Sequence, residues 1–213
     1  MTEAVPSRSR RLPRAVREQQ MLDAAVAVFS RRGYHSASMD EIAEVAGISK
    51  PMVYAYLGAK EDLFAACLRR EADSLVAAVV GAATGGGADL PPEEVLWRGL
   101  RAFFGFVHEH RDSWAVLHGQ ARGEFGAEFE AIRARVIDVV AMMLTQARTE
   151  RTVGTEADLA AFAHALVGAA ESLAGWMVDH PGESPDAMAS RLMNFVWVGF
   201  HDLLAGAVWR PAG

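Results

Sequence analysis

Apolar residues recur at intervals of three and four along most of the chain, and glycines, prolines and Ser/Asp clusters interrupt the pattern where helices begin and end. From Pro13 the segment RAVREQQMLDAAVAVFSRRG puts Leu22, Ala25 and Phe29 on one stripe, flanked by Met21 and Val28. Gly33 then stops it, which predicts a first helix ending near Arg32. Ser38-Met39-Asp40-Glu41 reads as a capping box, in which the Ser38 hydroxyl takes an N3 amide proton and Glu41 reaches back to the cap residue. The helix it opens turns Ile42, Val45 and Ala46 inward, and Gly47 closes it after about two turns. Ser49 offers the next cap, for a third helix ending near Leu57. Because the residue before a proline is biased away from helical angles, that helix is predicted to start at Pro51, with Lys50 at the cap position. Gly58-Ala59 breaks it, and Lys60-Glu61-Asp62 opens a long helix to about Ala83.

The rest of the chain predicts helices near 91–110, 112–122, 125–150, 156–179 and 185–207, with TGGGADLPP (84–92) as the clearest linker. Ser184 caps the last of them and Pro185 sits at its first position. With few β-branched runs, the fold class is all-α. The two final helices are apolar over most of their circumference, so each needs a partner on more than one face. Either the same pair from a second copy supplies it, forming a four-helix, two-fold interface through Leu166, Leu173, Phe195, Val196, Phe200 and Leu203, or these helices form the centre of the monomer's own core.

Composition narrows the classes. Of 213 residues 51% are hydrophobic and 23% charged, a globular balance. A lone Cys67 permits no intrachain disulfide and no Cys-based metal site, which favours a reducing compartment. The basic N-terminus leads into a polar helix rather than an apolar signal core, and no run reaches the ~20 apolar residues of a membrane span, so a cytoplasmic protein without a membrane partner is expected.

The net charge of −6 is unevenly spread. Residues 1–70 carry 11 Lys and Arg against 8 Asp and Glu, whereas residues 71–213 carry 10 against 19. Arg8, Arg10, Arg11, Arg14 and Arg17 crowd the start, where residues 1–12 read as a flexible basic arm. A basic head on an acidic body is compatible with a phosphate backbone as partner.

Two short helices joined by a Gly-containing turn form a helix-turn-helix, whose second helix enters the DNA major groove. The chain's only lysines, Lys50 and Lys60, bracket that second helix. Catalytic and cofactor motifs are weak by comparison. GGG at 85–87 lacks the Lys-Ser/Thr of a phosphate loop, and His108 and His110 lie about 200° apart around a helix, too far to share a metal. No cofactor is called for. The body carries material for an apolar ligand pocket, chiefly Phe104, Trp114, His118, Phe129, Met143 and Trp176. Glu171 is the preferred polar anchor because its helix is otherwise almost charge-free from Leu159 to Val178, and a carboxylate there suits a cationic or hydroxyl-bearing ligand.

The segment from Met21 to Leu68 resembles the DNA-binding domain of the TetR family of transcriptional regulators. The resemblance is carried by Leu22, Ala25 and Phe29, by Gly33-Tyr34, by Met39 and Ile42-Ala43, and by Ala46-Gly47-Ile48-Ser49. Tyr54-x-Tyr56-Leu57 and Lys60-Glu61-x-Leu63 complete it. It implies a helix-turn-helix domain over 13–60, joined by the long fourth helix to a helical ligand-binding and dimerisation domain over 61–213. It also implies a homodimer that binds a near-palindromic double-stranded DNA operator, most often as a repressor released by a small-molecule effector. Residue by residue, Lys50, Pro51 and Met52 fall where family members meet base edges or nearby backbone, with Ser49 at the cap. Ser38, Tyr54, Tyr56 and Lys60 fall at phosphate-contacting positions, although Tyr54 also suits the small core. Leu57 replaces a usual Phe, and Ala59 replaces a frequent polar cap. The competing readings are an activator on the same fold, or an all-α ligand-binding protein or enzyme with a structural helix-turn-helix.

Overall fold

Glycine at position 33 sets the shape of the N-terminal unit. In the computed structural model, which describes residues 13–87, 90–119, 125–146 and 155–204 (side chains of 119 and 198–204 excepted), α1 spans Arg14–Ser36. Gly33 breaks it with φ 78° and ψ 158°, angles that L side chains rarely adopt. The main helix therefore ends where Gly33 was expected to stop it, and one more turn runs on to Ser36, closed by the Ala37 N–H donating to the Gly33 carbonyl.

α2 (Met39–Ala46) and α3 (Lys50–Leu57) follow, and Gly47 takes the left-handed conformation between them. The Ser38 hydroxyl accepts the Glu41 N–H at 3.1 Å, but the reciprocal half of the expected capping box does not form. The Glu41 carboxylate accepts instead from Arg32 Nε at 3.2 Å. Two further expectations need correction. α3 starts at Lys50 rather than Pro51, and Ser49 makes no side-chain cap, its carbonyl accepting from the Met52 and Val53 amides. Pro51 in the first turn loses no intrahelical bond, so it does not delay the helix.

α4 (Lys60–Thr84) opens without a polar residue at position 59, yet the site is capped in reverse. The Ala59 N–H donates to Asp62 Oδ2 at 3.0 Å. The chain divides into compact units Met1–Cys67 and Leu68–Gly213, a boundary inside α4 rather than at its start. Leu63, Phe64 and Cys67 are fully buried, and they hold the first turns of α4 to the N-terminal unit. Phe64 meets Phe29 edge-on at 4.9 Å, and Tyr34 lies 5.0 Å from the Phe64 ring. Burying each such ring stabilises by about 1.5–3 kcal/mol, more than the largely exposed Arg32–Glu41 pair contributes.

In the second unit α5 (Pro92–Glu109) packs along α9 (Pro185–Leu204), and α7 (Gly126–Gln146) packs along α8 (Glu156–Asp179). A four-residue helix α6 (Arg111–Trp114) runs into a π-helical turn, Ala115–Gly119. Among the described residues there is no strand, in keeping with the all-α expectation. The expected ends of the helices at 112–122, 125–150 and 185–207 fall partly outside the described residues, as does the basic arm 1–12. α8 carries a complete capping box: Thr155 Oγ1 accepts the Asp158 N–H, and Asp158 Oδ2 accepts the Thr155 N–H at 2.7 Å. That second bond holds the Asp158 carboxyl below its ordinary pKa. Ser184 Oγ accepts the Ala187 N–H and caps α9 as expected. By length and hydropathy α8 could cross a membrane, but its buried residues, among them Leu166, Ala170, Ala174 and Met177, pack with Leu100, Phe104 and Trp114, and with Met188 and Leu192 of α9.

Candidate nucleic-acid interface and ligand cavity

α3 is held to the head by a single fully buried side chain, Val53. Ser49, Lys50, Pro51, Tyr54 and Ala55 are exposed, so a short helix preceded by a tight glycine turn presents one continuous outward face. Tyr54 is 46% exposed and does not pack the small core. Tyr56 and Met52 are half-buried for a reason the sequence does not disclose. The Arg14 guanidinium lies 5.1 Å from the Tyr56 ring centroid, and Arg17 Nη1 donates to Met52 Sδ at 3.5 Å. Two arginines from the start of α1 are thereby laid beside the third helix. Their crowding is visible in the sequence, but their partners are not.

The two lysines have different environments. Lys50 Nζ donates to Asp40 Oδ2 at 2.8 Å on the exposed surface, and this hydrogen bond raises its pKa above 10.5. Lys60 does not stand free for a phosphate. Its Nζ donates to the carbonyls of Tyr34 (2.9 Å), His35 (3.3 Å) and Ala37 (3.1 Å), and it lies 4.6 Å from the Tyr34 ring centroid. With all three ammonium protons engaged, Lys60 ties α4 to the turn after Gly33. Ser38 caps α2 as described above.

The second unit encloses a cavity of about 160 Å³ bounded by α4, α5, the π-helical turn, α7 and α8. Of the residues expected to line it, Trp114, His118, Phe129, Met143 and Glu171 do so. Phe104 and Trp176 do not. Phe104 is fully buried in the packing between α5 and its neighbours, and Trp176 is 40% exposed and stacks on His180 at 4.0 Å. Apart from Arg133, the rest of the wall is apolar, including Leu75, Val76 and Val79 of α4 and Val136 and Val140 of α7.

Glu171 is not a lone carboxylate. Arg133 Nε donates to both of its oxygens, at 3.1 and 3.2 Å, and His118 Nε2 lies 3.8 Å away. Its charge is therefore already paired within the protein, a partner that the charge-free run of α8 does not disclose. Arg133 escaped the sequence reading although a signal existed: it interrupts the apolar stripe Phe129, Val136, Val140, Met143 of α7. His118 sits on the π-helical turn, stacked on Trp114 at 3.8 Å and meeting Phe129 edge-on at 5.6 Å. Such turns concentrate at functional sites. His108 is exposed, and His110 closes α5 with its Nδ1 3.1 Å from the Phe106 carbonyl. Among the described residues no group of three His, Cys, Asp or Glu side chains is arranged for a metal.

The residues expected at a dimer interface divide. Leu166 and Val196 are buried within the unit, and Leu166 lines the cavity. Leu173 is half-buried against the same packing. Phe195 projects outward, 78% exposed. The side chains of Phe200 and Leu203 lie outside the described residues.

Residues 21–67 match the family described as bacterial regulatory proteins, tetR family, and residues 92–199 match a tetracyclin repressor-like C-terminal domain. The chain is 31% identical over 201 residues to the HTH-type transcriptional activator FasR of Mycolicibacterium smegmatis (strain ATCC 700084 / mc(2)155), covering 90% of this chain and 86% of that one. It is similar to the crystal structure of a TetR-like transcriptional regulator from Rhodococcus sp. RHA1, with 45% identity, a TM-score of 0.73, and 90% of this chain and 99% of that one covered. It shares its fold with AibR, solved in complex with isovaleryl coenzyme A and operator DNA, at 21% identity and a TM-score of 0.66, covering 84% of this chain and 97% of that one.

Proposed function

The chain belongs to the TetR family of transcriptional regulators, and on that premise we propose how its two units divide the work. It is a ligand-responsive DNA-binding regulator. We infer that it acts as a homodimer on a near-palindromic operator, each α3 entering one major groove, with half-sites about 34–36 Å apart. The observation that carries the DNA reading is the exposed face of α3, where Lys50, Pro51 and Tyr54 stand together. Lys50 is the base reader, suited to guanine O6 or N7, and Pro51 and Met52 suit a thymine methyl. Ser49 lies at the start of the same face, and Ser38, Tyr54 and Tyr56 are assigned to phosphate positions. Arg14 and Arg17 join them because they already border α3.

The cavity is the effector site in this reading, and effector binding releases the operator. It acts as a regulator, not an enzyme, on DNA in the cytoplasm. Phe195 belongs to the dimer surface, since a phenylalanine so exposed on an apolar helix calls for a partner. Repression relieved by the effector is the first reading. Activation is favoured by one observation, that the relative FasR is named an activator. Transcription in vitro from the promoter flanking the chain's own gene separates them: a repressor lowers transcript when added alone, and an activator raises it.

A further inference from the structure

The cavity assigned above to the effector is long. On α7 its lining runs from Phe129 to Leu144, about 22 Å of helix, and on α5 from Pro92 to Phe103, about 16 Å. A volume of about 160 Å³ spread along such walls is a slot, not a sphere. Its charged side chains gather near one end. Arg133 and Glu171 meet close to the Phe129 end of the α7 lining, with His118 beside them, and beyond Arg133 that lining is Val136, Val139, Val140, Met143 and Leu144.

The ion pair there is already closed. Arg133 and Glu171 are only 24% and 19% exposed, they cancel one another's charge, and the Nε donor is shared between both carboxylate oxygens. A ligand carboxylate arriving at Arg133 would set a second negative group beside Glu171 in an apolar wall, and a like charge at that range disfavours ionisation. A ligand ammonium arriving at Glu171 would set a second positive group beside the Arg133 guanidinium, which is the same penalty with the sign reversed. An uncharged acceptor meets neither obstacle. Among the described residues the two Nη groups of Arg133 make no hydrogen bond to the protein, which leaves donors for a carbonyl or hydroxyl oxygen.

We propose that this slot takes an uncharged linear amphiphile, an alcohol, ester, thioester or amide of a hydrocarbon chain, and that the Arg133–Glu171 pair excludes the matching carboxylate and amine. The inference rests on the cavity being the effector site. Glu171 is then a filter of head-group charge rather than an anchor for a cation.

The test is calorimetric titration of the full-length protein at about pH 8, above the ordinary histidine range, with 1-decanol, methyl decanoate, decanoate and decylamine. Wild type is expected to bind the alcohol and the ester at least about ten-fold more tightly than the acid or the amine. Glu171→Gln uncovers Arg133 and shifts preference toward decanoate by about ten-fold. Arg133→Gln uncovers Glu171 and shifts it toward decylamine, which keeps the test open should one variant fail to fold. Equal affinities for all four heads, or a preference unchanged in both variants, overturns the charge filter and leaves the effector cavity standing. No binding of any of the four overturns the linear amphiphile itself, as distinct from the effector cavity on which it rests.

Discussion

Lys50 Nζ donates to Asp40 Oδ2 at 2.8 Å, joining the first residue of α3 to the first turn of α2. The carboxylate therefore competes with DNA for the ammonium assigned to base reading. Replacing Asp40 with Asn is expected to raise operator affinity about two- to five-fold, whereas Lys50→Ala relaxes sequence preference by about ten-fold at one base pair. Because Asp40 raises the Lys50 pKa, the charge and its contribution persist below 10.5 and are lost only as pH rises through the higher folded value. Operator affinity should show no Lys50-dependent step between about pH 6 and 9. Anisotropy titrations on single-base operator variants check both points.

Lys60 is expected to act on stability rather than on phosphate, since its ammonium is bonded to three carbonyls. Removing the ammonium strands three carbonyls at the turn after Gly33, so Lys60→Ala is expected to lower unfolding free energy by about 1.5–3 kcal/mol. The slope of log affinity against log salt should stay within about 0.5 of wild type, where loss of a phosphate contact would reduce it by about one. Urea melts and salt-dependent binding on the same preparation separate the two roles.

These lysines also show what sequence patterning discloses. Apolar spacing and glycines placed the elements because helix faces and left-handed stops are local properties. Side-chain partners are not local. Ser38 caps as its motif requires, yet Glu41 is drawn to Arg32, and the complete capping box forms at Thr155 and Asp158, which the sequence reading passed over. Five of the seven expected pocket residues line the cavity, because bulky apolar residues on facing helices tend to converge. Arg133 escaped notice since its partner Glu171 lies on another helix, 38 residues away. Leu166 and Val196 were assigned to a dimer because an apolar helix does not reveal which of its faces the monomer covers.

Glycine substitutions should rank by surroundings. Gly47 (φ 66°) has open space where a Cβ would stand, so Gly47→Ala carries chiefly the left-handed penalty, about 1–2 kcal/mol. Gly58 (φ 75°) would place that carbon 2.5 Å from Asp62 Oδ2, the oxygen that accepts the Ala59 N–H. Gly58→Ala should therefore cost more than Gly47→Ala, read as the larger drop in urea midpoint at unchanged slope.

Phe195 provides a dimer test that spares the core. At 78% exposure it supports nothing inside its own unit, so Phe195→Asp is expected to retain helicity while moving the dimer–monomer equilibrium by at least about ten-fold toward monomer. Sedimentation velocity and circular dichroism on the same sample read both properties.

DNA reading is assigned to the exposed face of α3, where Lys50 and Tyr54 stand together. It is tested most directly by anisotropy titration of labelled DNA from the region flanking the chain's own gene, using wild type and a Lys50→Ala, Tyr54→Ala double variant. Wild type is expected to show saturable, sequence-specific binding that weakens steeply with salt. The double variant is expected to fall to the level of unrelated DNA with its helicity intact. Specific binding that survives unchanged in the double variant would contradict it.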